Sequence, residues 1–95
     1  MPNEIDQHRE EIDAIDRRLV ELLNQRARSA HQIGMRKREL QLPVFDPERE
    51  KEIFKKLLLQ NRGPLPNSSI QAIFRAIIEE TRAYEEVSSS GEQEK

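Results

Sequence analysis

The chain has 95 residues, 35% apolar and 36% charged, with three Gly, three Phe, one Tyr and neither Trp nor Cys; it has room for one small domain, which excludes most large cofactor-binding folds. So few apolar residues make a thin self-contained core, and a partner chain is expected. With 16 Lys and Arg against 18 Asp and Glu and an isoelectric point near 5.7, bulk attraction to nucleic acid or to an anionic membrane is excluded, and any binding must be local and geometric.

From about Glu4 to about Leu40, the residues Ile5, Ile12, Ile15, Leu19, Leu22, Leu23, Ala30 and Ile33 recur at three- and four-residue steps with charges between them and no Pro. That spacing predicts one amphipathic helix. At 1.5 Å per residue its 37 or so residues make a rod of roughly 55 Å, whereas a globule of this chain length is about 32 Å across. The rod overhangs its own protomer, and the cheapest cover for its apolar stripe is the same helix of a second copy. An all-α, three-helix protomer in an intertwined homodimer with antiparallel long helices is therefore expected.

Two punctuated stretches, Leu42–Pro47 and Gly63–Asn67, separate this helix from two shorter ones. Asp46 is a good N-cap with Pro47 at the first helical position. Ile53, Phe54, Leu57 and Leu58 form the buried side of the second helix, which Gly63 is expected to end. Ser68 with Gln71 has capping-box form, and Ile70, Ile73, Phe74, Ile77 and Ile78 stripe the third helix. Residues 1–86 read as one helical domain, and 87–95, rich in Ser and Glu, as a polar disordered tail. The N-terminus lacks the basic start and apolar run of a signal peptide, and no segment has the apolar length of a membrane span; with no Cys, a soluble cytoplasmic chain is expected.

Several charges break the apolar pattern. With Leu19 set at zero and 100° per residue, Lys37 falls at about 0°, Arg26 at about −20° and Arg9 at about 80°, on or at the edge of the stripe. Arg9 lies some 40 Å along the rod from Lys37, so the two meet at one site only if Arg9 comes from the other chain of an antiparallel dimer. In the second helix Arg49 precedes Ile53 by four and Glu50 precedes Phe54 by four. In the third, Thr81 follows Ile77 by four and Glu85 follows Thr81 by four, so the stripe turns polar at its end. Buried charge is costly unless paired. Inward Arg9, Arg26, Lys37 and Arg49 outnumber inward Glu50 and Glu85, which leaves positive charge for a small anion to satisfy. Two separately placed Arg forks and the lack of a Gly-rich phosphate loop favour a dicarboxylate over a nucleotide.

For any one residue, a snorkelling side chain or an interhelical salt bridge explains the same position; for Arg26, Lys37, Glu50 and Glu85 together this is a weaker account. Arg36, Lys37 and Arg38 point in different directions on a helix, which argues against a nucleic-acid patch. His8 and Glu11 are one turn apart but have no second His or Cys at suitable spacing, so no metal site is expected. Ser29, Ser68 and Ser69 have no evident His base for nucleophilic chemistry.

These residues resemble the all-helical, AroQ-class chorismate mutases. The likeness runs from about Ile5 to Glu86 and is carried by Arg9–Asp16, Leu22–Arg26, Ile33–Lys37, Val44–Glu50 and Ile73–Glu79, in order and with ungapped spacing from Arg9 to Glu50. The resemblance implies a homodimer with two active sites that convert chorismate to prephenate by a Claisen rearrangement, without a cofactor. It implies that Arg26 and the partner's Arg9 bind the two carboxylates and that Lys37 contacts a carboxylate and the ether oxygen. Asp46, through its backbone, and Glu50 would hold the substrate hydroxyl with Arg49 nearby, and Thr81 would offer a hydroxyl. Glu85 stands where some members have Gln. A Gln donates to the ether oxygen at any pH, whereas Glu donates only when protonated, so a raised pKa is expected for Glu85. Two alternatives are an isochorismate pyruvate lyase and a non-catalytic helical dimerisation module whose inward charges are interhelical bridges. The tail after Glu86 suits either a natural end or a linker to a further enzyme domain of the same pathway.

Overall fold

Asn3 opens α1 (Glu4–Glu39): its Oδ1 accepts a hydrogen bond from the Asp6 N–H at 2.8 Å, and Glu4 and Asp6 place negative charge in the first turn. The computed structural model describes residues 3–89, with side chains through residue 86. The other elements are α2 (Pro47–Gln60) and α3 (Asn67–Ser89), and there is no strand among the described residues.

α1 ends in a left-handed cap made without glycine. Gln41 takes φ 60°, while its N–H donates to the Arg38 carbonyl at 3.0 Å and the Leu42 N–H donates to the Lys37 carbonyl at 2.7 Å. This pair of bonds satisfies two of the last carbonyls and turns the chain back. The reversal matters for the site, because it returns Val44 and Asp46 to the side of Lys37. Asp46 then caps α2 as expected, with Oδ1 accepting from the Arg49 N–H at 3.1 Å and Pro47 at the first position.

The second connection differs from expectation. α2 stops at Gln60, before Gly63, because Asn61 leaves the helix in an extended conformation and organises the turn. Its amide donates to the Leu65 carbonyl and to Asn67 Oδ1, and its Oδ1 accepts from the Gly63 N–H. Gly63 follows at φ 74°, a conformation that suits glycine. α3 begins at Asn67, one residue before the expected Ser68 cap; the Pro66 carbonyl accepts from the N–H groups of Ser69 and Ile70. The helix backbone continues through Ser89, past the expected start of the tail, and residues 90–95 of that tail lie outside the described residues.

α3 packs against both α1 and α2, while α1 and α2 make no comparable contact with each other. The contacts with α1 lie in its second half: Arg26 meets Thr81, His31 stacks obliquely on Tyr84, and Gly34 lies against Glu85. Every residue from Asn3 to Gln25 is exposed, including Ile12 at 54% and Leu19 at 50%. The chain measures 58 × 35 × 15 Å, with a radius of gyration of 17.0 Å where a compact chain of this length has about 12 Å. Ile78 is the one buried large apolar side chain among the described residues. The protomer has a site before it has a core.

Candidate active site

One open cavity of about 250 Å³ lies where the second half of α1, the start of α2 and the end of α3 converge. Seven of the eight side chains expected from sequence line it: Arg26, Lys37, Asp46, Arg49, Glu50, Thr81 and Glu85. Arg9 is elsewhere, in the exposed half of α1, with its guanidinium 3.8 Å from Asp6. A rise of 1.5 Å per residue puts it about 42 Å along the helix from Lys37.

Arg26 is half-buried and held from α3. Its Nη1 donates to Thr81 Oγ1 at 2.9 Å, and the same hydroxyl donates to the Ile77 carbonyl at 2.7 Å. Thr81 thus links Arg26 to the α3 backbone and orients its guanidinium. Burial and neighbouring Arg49 lower the pKa of Arg26, while Glu85 raises it. A guanidinium ordinarily titrates so far above neutrality that it keeps its charge. It is a partly dehydrated cation facing a cavity, the condition in which a carboxylate ligand is bound most strongly.

Lys37 is fixed by the reversed chain: Nζ donates to the Val44 carbonyl at 3.5 Å and lies 3.7 Å from Asp46 Oδ2. Both contacts are long, so the ammonium retains capacity for a stronger acceptor. Glu85 lies beside Gly34, the one buried residue of α1. A Cβ at position 34 would stand 3.0 Å from Glu85 Oε2, so the absent side chain makes room for this carboxyl group against the helix. Burial raises the pKa of Glu85, and Lys37 and Arg26 oppose the shift. The carboxyl thus keeps a proton to higher pH than an exposed glutamate would.

On the opposite wall Arg49 is exposed and pairs with Glu52 at 2.7 Å. Glu50 is half-buried and pairs with Arg82 at 3.4 Å. Arg82 escaped the sequence reading; its position four residues after Ile78 was the available signal. The apolar lining, which includes Ala30, Ile33, Val44, Phe45, Ile53 and Ile78, supplies shape. Among the described residues no group of three or more His, Cys, Asp or Glu is placed to hold a metal, and no helix is long and apolar enough to cross a membrane.

Four cations, Arg26, Lys37, Arg49 and Arg82, set against Asp46, Glu50 and the protonatable Glu85 beside apolar surfaces, suit a small anionic molecule with a hydroxyl group. They offer no nucleophile with an adjacent base and no phosphate cradle. Chemistry in such a cavity rests on positioning and on charge stabilisation.

Known proteins with this arrangement were found by sequence and by shape. A bifunctional chorismate mutase/prephenate dehydratase of Aquifex aeolicus is 43% identical over 79 residues, covering 79% of this chain but 22% of the relative. The chain thus spans about a fifth of the length of that protein. The structure of a chorismate mutase from Thermus thermophilus superposes with a TM-score of 0.86 at 36% identity, covering 88% of this chain and 96% of that one. That of a chorismate mutase from Helicobacter pylori, in complex with prephenate, gives 0.84 at 28% identity, covering 94% and 97%. The family model for chorismate mutase type II matches residues 8–86, a span that reaches into all three helices and takes in every cavity residue, and the chain belongs to that family.

Proposed function

We propose that this chain is a chorismate mutase, rearranging chorismate to prephenate in a cavity completed by a second copy. The observation that carries the reading is the convergence of Arg26, Lys37 and Glu85 from two helices on one partly buried cavity. The prephenate complex of the Helicobacter pylori relative supports the ligand class.

The reaction is unimolecular: the ether C–O bond breaks as a new C–C bond forms, and no group is transferred to the protein. Two features of the chain then matter. Arg26 and Lys37, with the partner's Arg9, hold the two carboxylates in the compact conformer from which bond formation proceeds. Lys37 and the protonated carboxyl of Glu85 meet negative charge as it develops on the ether oxygen. Glu50 accepts from the substrate hydroxyl and the Asp46 backbone holds the same group, while Arg49 adds positive potential at the rim. Thr81 acts through Arg26.

A second copy is called for by the same geometry. The apolar stripe of α1 from Ile5 to Leu23 is exposed in the protomer, and Arg9 cannot reach the cavity of its own chain. An antiparallel partner helix answers both needs. The decisive experiment supplies the purified chain with chorismate and, separately, isochorismate. Prephenate from chorismate is the expected product; salicylate and pyruvate from isochorismate, or no turnover and no thermal stabilisation by chorismate, would overturn the proposal.

A further inference from the structure

We infer that Arg82 is a positioning residue for Glu50, and that recognition of the substrate hydroxyl depends on it. This rests on the reading of the cavity as a chorismate site. Arg82 stands on α3 one residue past Thr81, at the wall between the main cavity and a smaller one of about 130 Å³ lined also by Phe54, Arg75 and Glu79. Its Nη1 is 3.4 Å from Glu50 Oε2, with both side chains less than a third exposed. Its Cζ lies 4.7 Å from the centroid of the Phe45 ring.

These contacts use different parts of one planar group. The edge of the guanidinium meets a carboxylate and its face meets an aromatic ring, a combination that the ammonium of lysine cannot reproduce. The two partners come from separate places in the chain. Glu50 is in the first turn of α2; Phe45 is in the connection that also carries Val44 and Asp46, the contacts of Lys37. Arg82 therefore ties that connection and α2 to α3 at the same point. At Glu50, the pairing engages Oε2, which leaves Oε1 to accept from a ligand hydroxyl. A partly exposed pair of this length adds little to stability. Its effect is on where the acceptor points.

The test is a double-mutant cycle on chorismate turnover with Arg82→Leu, Arg82→Lys and Glu50→Gln, with circular dichroism and association state measured for each. Arg82→Leu is expected to raise KM about tenfold with a smaller change in kcat, and Arg82→Lys to recover part of that loss. In the Glu50→Gln background, Arg82→Leu is expected to cost less than about twofold more, because the carboxylate that Arg82 pairs with is already gone. Penalties that multiply in full, or an unchanged KM in Arg82→Leu, would overturn the inference while leaving the site reading intact. If Arg82→Leu fails to fold, the same comparison is made with Arg82→Lys. A wild-type chain without turnover would overturn the site reading, and this inference with it.

Discussion

α1 is one continuous helix with two unlike halves. From Asn3 to Gln25 every residue is exposed, the Ile and Leu of the apolar stripe included. From Arg26 onward the same stripe meets α3, and Arg26, Gly34 and Lys37 stand on or beside it among Ala30 and Ile33. The difference teaches that hydrophobic periodicity marks a face to be covered but not what covers it. In the second half the cover is intramolecular and incomplete, leaving a cavity in which cations are useful. In the first half the Leu and Ile side chains stay exposed in the protomer, and the second copy proposed above is what would cover them.

The contrast is broken most severely at the cations. Lys37→Ala is expected to lower kcat/KM by about 10²–10³-fold with helicity and association unchanged. Arg9→Ala, in the other half, should impair activity by a different route. A refolded equimolar mixture of the two variants should regain about a quarter of wild-type activity, because half of the dimers then carry one intact site. A mixture no more active than its components would refute sharing between protomers.

Leu19→Asp attacks the uncovered half alone. An unpaired carboxylate on each copy of an apolar interface is costly, so sedimentation should show monomer, and circular dichroism should show lost helix at concentrations where the wild type is associated. An unchanged sedimentation coefficient would place the interface elsewhere.

A subtler change separates proton donation from packing. The pKa of Glu85 is raised by burial; in the proposed mechanism its acid form is the donor, so kcat should be full below that pKa and fall as pH rises through it. Glu85→Gln should lack this alkaline decline. Coincident pH profiles would remove Glu85 from the ether oxygen.

The smallest expected effect is at Gly34→Ala. Alanine is the better helix former by about 1 kcal/mol, and the contact at 3.0 Å is with the movable end of Glu85. Stability should therefore hold or rise while kcat falls roughly three- to tenfold through displacement of the carboxyl group. A variant with unchanged kcat would show that this clearance is immaterial.

Much of the site was legible because its residues violate a strong local rule. Arg26 and Lys37 stand where an apolar residue belongs, and Asp46-Pro47 announces a helix start that the structure confirms. Arg82 was marked only by its place four residues after Ile78, since its partners Phe45 and Glu50 are brought to it by the return of the chain after α1. Thr81 lines the cavity as expected, and its hydroxyl is engaged there by Arg26 and the Ile77 carbonyl. The Ser68 cap failed because the side chain of Asn61 already ties down the turn and Asn67, and the Pro66 carbonyl takes the first amides. Capping signals are local, and a neighbouring amide network outcompeted this one.

In the dimer proposed above, the exposed half of α1 makes angular phase a catalytic parameter. One residue inserted near Asp16 would turn Arg9 by about 100° relative to Lys37 and lengthen the separation by about 1.5 Å, removing it from the partner's cavity without altering a side chain there. Seven inserted residues would return it to within about 20° of its original bearing but about 10 Å too far along the axis. Bearing and distance cannot both be kept by any insertion, so the uninterrupted run from Glu4 to Glu39 is a fixed ruler as well as a surface.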